Sequence, residues 1–111
     1  MIPHQELNEA LTKWRWPNPN YDIHMDSTEI RVFESPIYNV PLAQCRLFTL
    51  SLDAIDEWLA PQVDGYALEN KPEEDNRWEA RVRVVNRYFH ADGETPALTL
   101  SQAFRKAAVK P

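Results

Sequence analysis

The alternation of apolar and polar residues that starts at Arg77 is the feature that most constrains the fold of this chain. Every second residue of the stretch 78–84 is apolar, and the residues between them are Glu79, Arg81 and Arg83. This period of two is typical of a strand that buries one face. The prediction is one long strand from Arg77 to Phe89, followed by a turn over residues 90–94.

The residues after this turn predict a helix. Thr95 is a favourable N-cap residue, and Pro96 suits the first helical position because its fixed φ is compatible with a helix. Apolar residues then recur every three or four positions, at Ala97, Leu100, Ala103, Phe104 and Ala107. This period is typical of a helix with one buried face.

Two further helices are predicted nearer the N-terminus. The first covers residues 3–14, where apolar residues recur at helical spacing, and Pro17 ends it. The second starts at Ser51, a favourable N-cap residue, and ends before Pro61. Its apolar stripe consists of Leu52, Ile55, Trp58 and Leu59.

The remaining segments contain the other strands and a long irregular stretch, residues 16–46, with four prolines. Residues 28–34 and 66–70 are predicted strands, and residues 37–40 allow another short extended piece. The polar loop 71–76 predicts an antiparallel hairpin with the long strand. We therefore expect residues 1–111 to form a single α+β domain. In it, a small antiparallel sheet packs with about three helices in an α/β/α sandwich-like arrangement.

Composition and charge narrow the classes of protein to which the chain can belong. Hydrophobic residues make up 43% of the sequence, which is enough for a buried core. The formal net charge of −5 argues against a nucleic-acid partner, because such proteins neutralise phosphates with a basic surface. A single cysteine, Cys45, excludes an intrachain disulfide, and no stretch is long enough for a membrane span. We expect a cytoplasmic protein without a membrane partner.

Three stretches of the second half resemble the ABA-sandwich family of small phage and prophage proteins. They are residues 51–58 (SLDAIDEW), 78–82 (WEARV) and 91–103 (ADGETPALTLSQA), and the resemblance covers residues 48–109. It implies helices on both faces of an antiparallel sheet. It also implies a phage or prophage origin, hence the cytoplasm of a bacterial host, and no particular enzymatic reaction.

Few residues offer catalytic chemistry. His24 could be oriented by Asp22 or Asp26 on an extended segment, which leaves an enzyme as one hypothesis. Catalysis also needs a third group and a pocket, for which the sequence gives no signal. Cys45 lies among apolar residues, a setting more typical of a core residue than of a nucleophile. We therefore predict a protein that is not an enzyme and holds neither a metal nor a cofactor.

The main functional hypothesis is that the chain is an interaction protein of a phage or prophage. Its expected partner is a bacterial host or defence protein, which it binds and in one version of the hypothesis inhibits; a phage protein is the other expected kind of partner. Aromatic residues in loops serve as interface anchors, although they can instead pin a loop to the core. Acidic residues can occupy a basic groove on a partner, although most acidic runs are solvated loops. The predicted partner-binding residues are Trp16, Tyr21, Phe33, Tyr38, Glu73, Glu74 and Asp75.

Four arginines at odd positions of the long strand support an alternative function. A row of guanidinium groups on a sheet can bind a nucleotide or another anionic metabolite. A solvated or ion-paired face is the simpler interpretation of the same row. The predicted ligand-binding residues are Arg77, Arg81, Arg83 and Arg87. An uncovered sheet edge would in addition allow a homo-oligomer.

Overall fold

The helices lie close to where the sequence predicts them. The computed structural model describes residues 1–34 and 40–109 of the chain. Helix α1 spans Gln5–Arg15. Helix α2, Leu52–Ala54, continues directly into a π-helical turn, Ile55–Leu59, and a 3-10 turn, Ala60–Gln62. Helix α3 spans Pro96–Val109.

Two of the helix starts show the capping that their sequences predict. The hydroxyl oxygen of Ser51 accepts a hydrogen bond from the Ala54 backbone N–H at 3.1 Å. The Thr95 hydroxyl accepts one from the Leu98 backbone N–H at 3.4 Å. Each side chain satisfies a backbone donor of the first turn that has no partner inside its helix. The predicted N-caps of α2 and α3 are therefore confirmed.

The strands of the described residues form two antiparallel sheets. The first sheet contains β1 (Tyr21–Met25), β2 (Glu29–Glu34) and β3 (Ala43–Arg46), in that order. The second sheet contains β4 (Gly65–Lys71), β5 (Arg77–Val84) and β6 (Arg87–Gly93), also in sequence order. The α+β class is confirmed, with the strands divided between two small sheets. Of the expected extended piece at 37–40, residues 37–39 lie outside the described residues.

The prediction of one long strand from Arg77 to Phe89 was wrong. Strand β5 ends at Val84, the chain reverses at Val85 and Asn86, and β6 then runs through most of the predicted turn at 90–94. Val85 has a φ of 57°, a conformation that a β-branched residue rarely adopts. The Asp64 carboxylate accepts a hydrogen bond from the Val85 N–H and so stabilises this tight turn. Valine is not a turn-forming residue, so the residue type at position 85 does not indicate a turn.

Helix α3 covers one face of the second sheet, which we call the inner face. Ala80 and Val82 of β5 are fully buried there, as are Leu100 and Phe104 of α3. The helix and the sheet lie close together at Gly93, the last residue of β6. A Cβ at this position would overlap the Thr99 hydroxyl oxygen, so a larger residue fits only if the Thr99 side chain or the helix moves.

Helix α1 packs on α3 and contacts the 3-10 turn that follows the first sheet. Its Asn8 side chain is completely buried and donates a 2.9 Å hydrogen bond to the Thr49 hydroxyl in the 3-10 turn Phe48–Leu50. The ring of Trp14 lies 6.2 Å from that of Phe104. One hydrophobic cluster thus includes buried residues of α1, α3 and both sheets.

Candidate anion-binding face

The second sheet has an exposed outer face, opposite the inner face that α3 covers. Its side chains are arranged in rows across the three strands, because the antiparallel register fixes which residues lie side by side. The first row contains Gly65, Arg83 and Tyr88, the second Ala67, Arg81 and His90, and the third Glu69, Glu79 and Asp92. The resemblance implied helices on both faces of a sheet, whereas the outer face here is exposed along the first two rows.

The first two rows form a small cationic patch, which we define by Arg81 and Arg83. Both arginines are exposed, and neither guanidinium forms an ion pair within residues 1–34 and 40–109. Their neighbours across the strands carry no carboxylate. Arg83 lies between Gly65 and Tyr88, and Arg81 lies between Ala67 and His90. The two positive charges therefore face solvent without a carboxylate in their own rows.

A depression of about 470 Å³ lies over this patch. Its floor is low on the β4 side because Gly65 and Ala67 have almost no side chains. An Nη atom of Arg83 lies 3.9 Å from the place that a Gly65 Cβ would occupy, so this guanidinium leans across β4. On the β6 side Tyr88 lines the depression and is 57% exposed. The volume is within the range of small-ligand sites, which is about 300–1,000 Å³.

Carboxylates border the cationic patch along the strands. Glu79 lies directly between Glu69 and Asp92, so the third row is acidic across all three strands. Like charges directly opposite one another disfavour the sheet. The Lys71 ammonium offsets part of this repulsion, since it lies 3.9 Å from the Glu79 carboxylate. At the opposite end Asp64 is held beside the β5–β6 turn by its hydrogen bond to Val85.

The structure places the four predicted ligand-binding arginines in three different settings. Only Arg81 and Arg83 line the depression. Arg77 lies on the outer face but beyond the acidic row, opposite Lys71. Arg87 does not belong to the row: it pairs with Val84 and therefore points to the inner-face side, where its guanidinium lies 5.7 Å from the centre of the Phe89 ring. This correction follows directly from the turn at 85–86, which reverses the chain.

The predicted aromatic anchors are not a common exposed surface. Trp16 is only 7% exposed and packs on Trp58, with ring centres 5.4 Å apart. Phe33 is only 8% exposed. Neither side chain is therefore exposed for binding a partner. The burial of Trp16 agrees with the alternative interpretation, in which aromatic residues fix the loop to the core. Tyr21 is half-buried and lines a groove between α1 and β1, while Tyr38 lies outside the described residues.

The predicted acidic residues lie at the tip of the β4–β5 hairpin. Glu73 and Glu74 belong to a 3-10 turn, Pro72–Glu74, and both are exposed. Asp75 follows in the left-handed conformation with a φ of 60°, which aspartate tolerates better than most residues. In the part of the chain that the structure describes, none of the three carboxylates forms an ion pair.

The two residues that the sequence analysis considered for catalysis, His24 and Cys45, are separated from this face. His24 Nε2 lies 3.3 Å from Asp22 Oδ2 on the first sheet, as the sequence allowed. Cys45 lies on the core side of β3, where burial raises the pKa of its thiol to about 12. Across the described ranges there is no group of three or more histidine, cysteine or acidic side chains that could hold a metal.

Sequence reasoning missed Tyr88, His90, Gly65 and Ala67 as parts of the site. A signal for the first two was present: the apolar positions change from even numbers, 78–84, to odd numbers at Phe89. Such a change of parity is expected where a two-residue turn joins two strands. The small residues of β4 gave no signal of their own, because only strand pairing brings them next to the arginines.

Comparisons of the chain with protein-family models, with curated proteins and with solved structures give no match. The resemblance to the phage ABA-sandwich family therefore stays a prediction. Among the helices of the described residues, none is long and apolar enough to cross a membrane.

Proposed function

We propose that this protein is a non-enzymatic binding protein that holds a small anionic ligand on the outer face of the second sheet. One observation carries the proposal: Arg81 and Arg83 are adjacent on one face of β5, exposed in a depression, and without a carboxylate partner in the described residues. Arginine suits this role because its guanidinium stays charged and offers several donors in a fixed plane.

The geometry favours one compact anionic group. Residues two apart on a strand point to the same face and lie about 7 Å apart, so one oxyanion between the two guanidinium groups can reach both. A hydrogen bond to a charged group contributes about 1.5–3 kcal/mol, and about 1.4 kcal/mol corresponds to a tenfold change in affinity. Loss of either arginine is therefore expected to weaken binding at least tenfold.

A role in binding rather than catalysis is supported by the state of Cys45. A thiol whose pKa is about 12 is almost entirely protonated at neutral pH and is a poor nucleophile. His24 has a carboxylate neighbour in Asp22 but lies on the other sheet, away from the depression.

Thermal-shift and calorimetric measurements with phosphate, sulfate, carboxylates and nucleotides test this function. We expect at least one of these anions to bind the full-length protein, and Arg81→Ala and Arg83→Ala to weaken it at least tenfold. Arg87→Ala is the matched control, because it removes the same charge from the same sheet on the opposite face. Absence of binding by every anion, or an equal loss in Arg87→Ala, would refute the proposal.

The second candidate is a protein-interaction role in the cytoplasm of a bacterial host, as the resemblance implies. The observation that favours it is the hairpin tip, where Glu73, Glu74 and Asp75 are exposed together. Exposed like charges mainly raise the association rate with a basic partner, and this effect decreases with salt. Replacing all three by their amides should slow capture of a host protein, and an unchanged association rate would count against this role.

A further inference from the structure

We propose that the ligand of the outer face is a nucleoside monophosphate, with its single phosphate on Arg81 and Arg83 and its base on Tyr88. This inference rests on the proposed function and narrows it to one class of ligand. Three features of the face support it: the paired guanidinium groups, the exposed aromatic ring beside them, and the acidic row that ends the cationic patch.

The ring of Tyr88 is placed for stacking. It is 57% exposed, and among the described residues no other aromatic ring packs on it. It lies directly beside Arg83 and diagonally from Arg81. Diagonal neighbours on a sheet are about 7–8 Å apart, a separation that a ribose can span between a base and its phosphate. An exposed tyrosine on a sheet offers a sequence-tolerant stacking surface for a base.

The acidic row limits the ligand to one phosphate. Successive rows on one face are about 7 Å apart, so a second phosphate extending along the strands would approach Glu79 and Asp92. These carboxylates repel a second phosphate of the ligand. They repel in the same way the next phosphate of a nucleic acid that runs along the strands. The face therefore disfavours nucleoside triphosphates and nucleic acids relative to monophosphates, because the Asp92 carboxylate and the partly compensated Glu79 carboxylate repel further phosphates.

Titration calorimetry of the full-length protein with AMP, GMP, CMP, UMP, ADP, ATP and ribose 5-phosphate tests this specificity. We expect at least one monophosphate to bind fivefold or more tightly than ribose 5-phosphate, because stacking on an aromatic ring adds affinity. The corresponding diphosphate and triphosphate should bind more weakly than the monophosphate. Asp92→Asn should reduce this discrimination, since it removes one carboxylate of the acidic row.

Two variants at position 88 separate the ring from the hydroxyl. Tyr88→Leu should reduce affinity for the monophosphate to that for ribose 5-phosphate, and Tyr88→Phe should retain it. Unchanged thermal melting of both variants shows that the sheet is intact.

The outcomes distinguish the two proposals. Equal binding of ribose 5-phosphate and the monophosphates, or tighter binding of ATP, would overturn the nucleotide inference while the anion-binding function stands. Absence of binding by every phosphate compound would overturn both. A dimer in sedimentation experiments that dissociates in Arg81→Ala would show that a second copy covers the face, which also overturns the inference.

Discussion

The buried side chain of Asn8 links α1 to the 3-10 turn Phe48–Leu50. Its Nδ2 donates to the Thr49 hydroxyl at 2.9 Å, and its Oδ1 accepts the Thr49 backbone N–H at 3.3 Å. The same Nδ2 also contacts the His4 carbonyl oxygen at 3.1 Å. Asn8 is completely buried and Thr49 is 3% exposed, so water does not replace these bonds. Asn8→Ala therefore leaves polar groups of Thr49 without a partner in the core.

The cost of this substitution can be worked out from these contacts. A buried N–H without a partner costs about 2 kcal/mol, and loss of the bond between the side chains costs about 1 kcal/mol. Alanine recovers about 0.5 kcal/mol because it favours the helix more than asparagine does. The expected loss in the free energy of unfolding is about 2.5 kcal/mol, or about 10 °C in Tm for a domain of this size.

Urea denaturation followed by far-UV circular dichroism measures this loss. Gln5→Ala is the matched control: it removes an amide from the exposed side of the same helix, where the side chain donates to the Glu9 carboxylate, and should cost under about 0.5 kcal/mol. A double-mutant cycle with Thr49→Val should give a coupling energy of about 1 kcal/mol or more. A loss similar to that of Gln5→Ala, or additive double mutants, would refute the proposed contact.

Three further substitutions or measurements test other parts of the structure. Val85→Gly should stabilise the protein by about 0.5–1 kcal/mol, because it relieves the left-handed φ of 57° but increases the freedom of the unfolded chain. Val85→Ala keeps the strain, and an equal gain in both would contradict this reason. Gly93→Ala should cost about 2 kcal/mol through overlap with Thr99, and Thr99→Ala in the same chain should recover part of it; no recovery would argue against that contact. Because burial raises the pKa of Cys45 to about 12, a maleimide at pH 8 should label the folded protein at least tenfold more slowly than the urea-unfolded one. The neutral thiol favours the folded state below the unfolded pKa near 8.5, and this contribution is lost as pH rises toward 12. Equal labelling rates in both states would show that the thiol is not shielded.

The helical parts of the fold could be predicted because their signals are local. The apolar residues of α3, from Ala97 to Ala107, are buried at the positions that the helical period indicates. The caps at Ser51 and Thr95 hold backbone donors as their side-chain chemistry predicts. The second helical segment shows the limit of such signals: Ile55 and Leu59 are buried, but Leu52 of the predicted stripe is 38% exposed.

The candidate site could be predicted only in part. The alternation alone predicts that the odd-numbered arginines of β5 share one face, and two of them, Arg81 and Arg83, line the depression. The aromatic anchors could not be assigned to a surface or to the core, because burial depends on which elements pack over them. Trp16 is buried because it packs on Trp58 and belongs to the hydrophobic core cluster, contacts that its local sequence does not indicate.

The sequence by itself determined the class of the fold, the N-caps of α2 and α3 and the two faces of β5, since periodicity and capping depend on neighbours within a few residues. The tertiary structure alone decided the reversal at Val85 and Asn86, where the Asp64 carboxylate satisfies a turn that valine disfavours. That reversal moves Arg87 to the other side of the sheet and brings Tyr88 beside Arg83. The composition of the binding face depends on strand register, which is a property of contacts between distant segments and not of any one segment.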